Sequence, residues 1–159
     1  MKVINIHERI IDQPKEKVSA LIETLASTND KVWPMDKWPP MKLDHGLQAG
    51  SKGGHGPVRY FIDKYDRGEL IQFNFTKPQG FNGNHRFEIS EPSQNQTLLK
   101  HTIDMNTSGS AIFTWALAIR WLHNALIEDA FDKIENHFSK IKKRTPWSVW
   151  VKFLRGVLR

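Results

Sequence analysis

The chain has 159 residues, 39% of them hydrophobic, with 23 Lys and Arg against 17 Asp and Glu and no cysteine. That length and composition fit one globular domain with room for a real core; the missing cysteine excludes disulfides and a cysteine nucleophile and fits a cytoplasmic setting. The net charge of +6 first suggests nucleic acid, but residues 140–159 hold seven Lys and Arg and no acid, so the body is neutral and the tail is basic.

A nucleic-acid-binding domain would spread its cations over a folded face with aromatics among them, so no nucleic-acid partner is expected. The longest apolar run, residues 111–127, carries Arg120, His123 and Asn124, which marks a buried or amphipathic helix instead of a membrane span. MKVINIHERI has no uninterrupted apolar core, so no export signal is expected.

In chain order, VINIHERII alternates Ile4, Ile6 and Ile10 with polar neighbours and reads as a half-buried strand with those isoleucines inward. Pro14 then opens an amphipathic helix carrying Val18, Leu21, Ile22 and Leu25. The segment NDKVWPMDKWPPM, with Pro34, Pro39 and Pro40, cannot hold a long helix, yet Trp33 and Trp38 are too large to lie in solvent. A second short helix or helical turn in a packed loop is expected there. Four segments follow, VRYFIDKYD, ELIQFNFT, NHRFEISEP and QTLLKHTIDMN, separated by short polar or glycine-bearing turns, and these read as an antiparallel meander. After Ser108-Gly109-Ser110 the period becomes helical, with Ala116, Ile119, Leu122, Leu126, Ala130, Ile134, Phe138 and Ile141 on one stripe of about eight turns. The order strand, helices, strands, long helix is α+β, with six or seven strands curved around the last helix.

This arrangement resembles the START-like helix-grip fold of the SRPBCC superfamily, which includes polyketide cyclases, lipid-transfer domains and plant pollen allergens. The residues nearest its bacterial pattern are GGHGPVRY at 53–60, Tyr65-Asp66-Arg67-Gly68, GFNGNHRFEI at 80–89, and the stretch from Trp115 to Ala130. The resemblance covers residues 3–142 and implies a cavity between sheet and long helix. It divides the chain into a domain of residues 1–142 and a basic amphipathic tail of 143–159.

GGHGPVRY lacks the Lys-Ser or Lys-Thr of a phosphate loop and leads into a strand, so it reads as a turn that starts that strand. Alternation sets His85 with Phe87 and Ile89, and His101 with Leu99, Ile103 and Met105, so both histidines should face inward. His123 borders the helical stripe, and His55 sits at the mouth of the sheet. Their separations of 30, 16 and 22 residues match no metal motif, so neither a metal nor another cofactor is expected. His85, His101 and His123 are the candidate proton carriers, with Asp44, Asp129 or Tyr60 as conceivable partners. Satisfied, buried histidines are the plainer reading. Arg59 should lie outside, unless a bulge after Pro57 turns it inward as an anion anchor. Tyr60, Phe73, Phe75, Phe87, Ile103 and Trp115, with Trp121 and Phe131, would line a pocket or fill a core.

In the tail, Trp147, Trp150, Val151, Leu154, Val157 and Leu158 form an apolar helical stripe, with Lys152, Arg155 and Arg159 off it. Such a helix suits a protein contact, either a fold-back onto the domain or self-association, and it also suits an anionic membrane surface. The expected function is binding of a small hydrophobic or amphipathic ligand. A cofactor-independent cyclase or dehydratase, and a lipid-handling or stress protein docked at the membrane, are the alternatives.

Overall fold

Strong alternation and glycine-marked turns give an open antiparallel sheet whose inner face needs a cover. The computed structural model, which describes residues 1–158, supplies that cover with the last third of the chain. The strands are β1 (Lys2–Ile11), β2 (Lys42–Leu43), β3 (Lys52–His55), β4 (Val58–Asp66), β5 (Leu70–Lys77), β6 (Phe81–Ser93) and β7 (Gln96–Thr107), in spatial order β1-β7-β6-β5-β4-β3-β2. Every neighbouring pair is antiparallel. Helix α1 (Lys15–Ile22) follows β1. After β7 come α2 (Ala111–Thr114), one π-helical turn (Trp115–Ile119), α3 (Arg120–Phe138) and α4 (Val149–Val157). This is the α+β helix-grip arrangement, and no helix among the described residues is long and apolar enough to cross a membrane.

Two buried clusters hold the layers together. The larger joins Val18 and Ile22 of α1, Trp33, Ile62, Phe73, Phe87 and Leu99 to Phe131 and Ile134 of α3; the smaller joins Val3, Phe81, Ile103 and Met105 to Trp115. Burying each of these large apolar side chains stabilises the fold by about 1.5–3 kcal/mol.

Four expectations change. Ile4, Ile6 and Ile10 are 61%, 50% and 45% exposed, whereas Val3, Asn5, His7, Arg9 and Ile11 face the helix. The inner face of this edge strand is polar because α3 presents polar groups to it. Arg9 donates to Glu128, Asp132 and Glu135, and Asn5 donates to Asn124. Only one helix follows β1; Pro34 to Trp38 make a single turn closed by Trp38 N–H to Pro34 O, 3.0 Å, and both tryptophans are buried.

The long helix stops at Phe138 and leaves Ile141 85% exposed, since the chain turns back there, with Lys142 Nζ and Lys143 N–H bonding Asn136. Finally, GGH belongs to a strand of its own. Gly53 and Gly54 pair with Tyr60 and Arg59 on one side and with Leu43 and Lys42 on the other, and a Cβ at either would strike a backbone oxygen, of Lys42 or of Val58. The turn itself is Gly56-Pro57, with Gly56 at φ +49°.

Candidate functional site

The helix does not fill the grip. A cavity of about 430 Å³ lies between the inner face of β5–β7 and the α2–α3 helix, closed by Trp33, Trp38, the β3–β4 turn and α4. Both core clusters contribute to its wall, within the size range of small-ligand pockets.

Of the residues singled out by sequence, His55, Phe75, His85, Phe87, His101, Ile103, Trp115 and His123 line this space. Tyr60 and Phe73 stand one layer behind: the Tyr60 hydroxyl is 3.1 Å from His55 Nδ1, and the Phe73 ring stacks on His85 at 4.7 Å. Phe131 is wholly in the core. Arg59 points outward and donates to the carbonyls of Gly56 and Val58 at 2.6 and 2.8 Å, although the pairing of β4 with β5 does shift beside it. Trp121 is also outside, its indole N–H on Ala116 O.

The histidines form a row across the wall. His85 Nδ1 lies 3.4 Å from His101 Nε2; the His101 and His123 rings are 5.0 Å apart, and the His123 and His7 rings 5.8 Å apart. His7, which sequence reasoning missed, ends the row in polar company, with Nδ1 2.7 Å from Glu128 and Nε2 3.1 Å from Asn124. The clue was its alternation with Asn5 and Arg9, outweighed by the neighbouring isoleucines.

Burial favours the uncharged form of His55, His85, His101 and His123. It lowers His55 to about 4, with Arg59 adding a smaller push, and His123 to about 3, with His7 adding to it. His85 and His101 are held well below the ordinary value by burial first and by their histidine neighbours second. Neutral imidazoles present one N–H and one acceptor nitrogen each. Yet His85 Nε2, His101 Nδ1 and both nitrogens of His123 are buried without a partner. The suggested carboxylate partners are engaged elsewhere. Asp129 accepts from Lys37, Trp38 and Trp147, while Asp44 accepts from Ser51 and the Lys52 amide. No group of three or more His, Cys, Asp or Glu among the described residues is arranged to hold a metal ion.

The tail is part of this site. Thr145 bonds Asp132, the Trp147 ring lies 5.3 Å from Trp38, and Ser148 caps α4 by accepting from Val151 N–H. Val151 and Leu154 are buried, while Arg155 and Leu158 reach the cavity wall. Two indole N–H groups bond carbonyls of the π-helical turn, Trp121 to Ala116 O and Trp150 to Leu117 O.

No protein-family profile matches the sequence, and no curated protein matches it. Solved structures share the fold. Truncated norcoclaurine synthase from Thalictrum flavum superposes with a TM-score of 0.67 at 10% identity, over 89% of this chain and 96% of that one. The chain has the START-like helix-grip fold. A protein from Nitrosospira multiformis gives 0.65 at 12% identity over 87% and 97% of the two chains. CalU16 from Micromonospora echinospora gives 0.59 at 13% identity over 99% of this chain and 91% of that one. Norcoclaurine synthase has also been solved in complex with dopamine and hydroxybenzaldehyde. These structures share the fold at 10–13% identity, so the site must be argued from this chain's own residues.

Proposed function

We propose that the protein binds a hydrophobic or amphipathic small molecule in the cavity between sheet and helix. The observation that carries this reading is the set of buried, unpartnered imidazole nitrogens of His85, His101 and His123, three residues that line a largely apolar cavity whose one charged side chain is Arg155. A buried polar group without a partner costs about 1–3 kcal/mol, and a ligand hydroxyl or carbonyl would recover part of that. Trp115, Phe75, Phe87 and Ile103 supply the apolar contact. The aromatic ligands of norcoclaurine synthase are consistent with such use of the fold. Native mass spectrometry of freshly purified protein tests it: a bound small-molecule mass, lost on organic extraction, is expected. A stable apo mass that no lipid or aromatic library alters would overturn it.

Turnover by the same histidines is a weaker reading, because the carboxylate contact in the row belongs to His7 and not to a cavity-lining imidazole.

Attachment to an anionic membrane is a second reading with its own observation. Val149, Trp150, Phe153 and Val157 on α4, with Phe113 and Leu117 beside them, are exposed. Leu117 O receives the Trp150 N–H, and the Trp150 and Phe153 rings stack at 5.3 Å, so the patch is continuous. Arg120 and Lys152 are exposed on the same two helices, and Lys142, Lys143 and Arg144 precede α4. Flotation with vesicles containing phosphatidylserine should carry the protein up and Trp150→Ser/Phe153→Ser should stay behind; equal flotation of both refutes docking through α4.

A further inference from the structure

The sign of charge in the cavity wall narrows the ligand further, an inference that rests on the binding role proposed above. Among the described residues the wall contains no Asp, Glu or Lys. Its histidines are neutral for the reason already given. One fixed charge remains, the guanidinium of Arg155, brought in from α4.

Arg155 is held but not neutralised. Its Nη2 donates to Lys37 O, and the guanidinium lies 4.7 Å over the Trp38 ring. Both contacts fix its position, and neither supplies a negative charge. Its Nε is buried and has no partner. No carboxylate among the described residues forms an ion pair with it. Asp129, which shares Trp38 and Trp147 with this helix, already accepts from Lys37 and from both indoles. A half-buried cation with an idle N–H beside an apolar space is the reverse of what a neutral hydrocarbon ligand needs, since desolvating it further costs energy with no return. A carboxylate or a similar anion supplies what is missing, because the planar guanidinium offers adjacent donors in the geometry such groups accept.

We propose that the cavity takes a monoanionic amphiphile, a long-chain or aryl carboxylate, whose carboxylate meets Arg155 and whose apolar body occupies the space beside Trp115 and Phe75. On this account α4 is part of the ligand site, and Arg155 reads the ligand's charge.

The test compares dodecanoate with its methyl ester by isothermal titration on the full-length protein, below the micellar range. The acid is expected to bind about tenfold or more tightly than the ester, from a charge-assisted hydrogen bond. Arg155→Gln should erase that preference with little change for the ester, and Arg155→Lys should keep part of it. An ester that binds the unaltered protein as well as the acid overturns the charge assignment and leaves cavity binding standing. The same holds if the preference survives Arg155→Gln. Absence of binding by either probe overturns both readings. The comparison of acid and ester on the unaltered protein needs no variant, so a poorly folding substitution cannot mask the answer.

Discussion

His85 and His101 face each other across the β6–β7 hairpin, Nδ1 of one 3.4 Å from Nε2 of the other, with the outer nitrogens of both rings buried and without a protein partner. One proton serves that contact. If His85 donates to His101, then His85 Nε2 is an acceptor toward the ligand and His101 Nδ1 a donor; the opposite tautomers reverse both. Either way the pair offers one donor and one acceptor to a bound molecule, so a ligand hydroxyl or carbonyl suits it. His101→Phe keeps the ring and removes the polar edge. Affinity for a hydroxylated ligand should fall about tenfold, while affinity for its deoxy analogue holds, as read by titration calorimetry. Equal losses for both would argue that the ring merely packs.

The buried histidines His55, His85, His101 and His123 make the fold acid-sensitive. Histidines whose folded pKa is depressed take up protons more readily when unfolded, so their contribution is complete above the unfolded value of about 6.5 and is lost as pH falls below it. His55 and His123, at about 4 and 3, should each cost about 2 kcal/mol at pH 5 relative to pH 7.5. The melting temperature should therefore drop steeply between pH 7 and 4.5. His123→Leu should flatten that slope, and a slope unchanged by this substitution would contradict the assignment.

Arg9 is the counter-charge for three acids, Glu128, Asp132 and Glu135, on the flank of α3. Arg9→Ala strands the buried Asp132 and should cost about 3–5 kcal/mol in urea unfolding. A loss below about 1 kcal/mol would mean that the cluster behaves as a solvated surface network.

Ala118 lines the cavity and presents only a methyl group to it. Ala118→Leu places its extra atoms in open space, so stability should stay within about 1.5 kcal/mol while ligand affinity falls. A large loss of stability with unaltered binding would show that the position is packed, not hollow.

Asp129 ties Lys37, Trp38 and Trp147 together. Asp129→Ala should expose the 139–148 connection to limited proteolysis and lower ligand affinity, because α4 loses one of its anchors. An unchanged digestion pattern would show that Val151 and Leu154 suffice to hold the helix.

The strand faces that carry the histidines were legible because β6 and β7 are central strands with one apolar face, where period-two alternation admits a single orientation. The same logic misreads β1. It is an edge strand opposite the charged flank of α3, so Ile4, Ile6 and Ile10 lie outside and Asn5, His7 and Arg9 lie inside. The apolar stripe of α4 was also legible, but not its destination. Arg155 falls off that stripe and looks like a solvated charge; what recruits it is Trp38, a residue far away in sequence that local periodicity cannot bring into view. Ile141 failed for a related reason, since a stripe continues on paper past the point where Asn136 and the following lysines turn the chain.

The closure by α4 also bears on exchange kinetics. Undocking that helix breaks the side-chain bonds of Trp147, Trp150 and Arg155 and uncovers Val151 and Leu154, but it severs no hydrogen bond between strands. Undocking of α4 is thereby separable from global unfolding. If a ligand is bound as proposed, its residence time should respond to substitutions in these nine helical residues while the sheet that shapes the cavity stays intact.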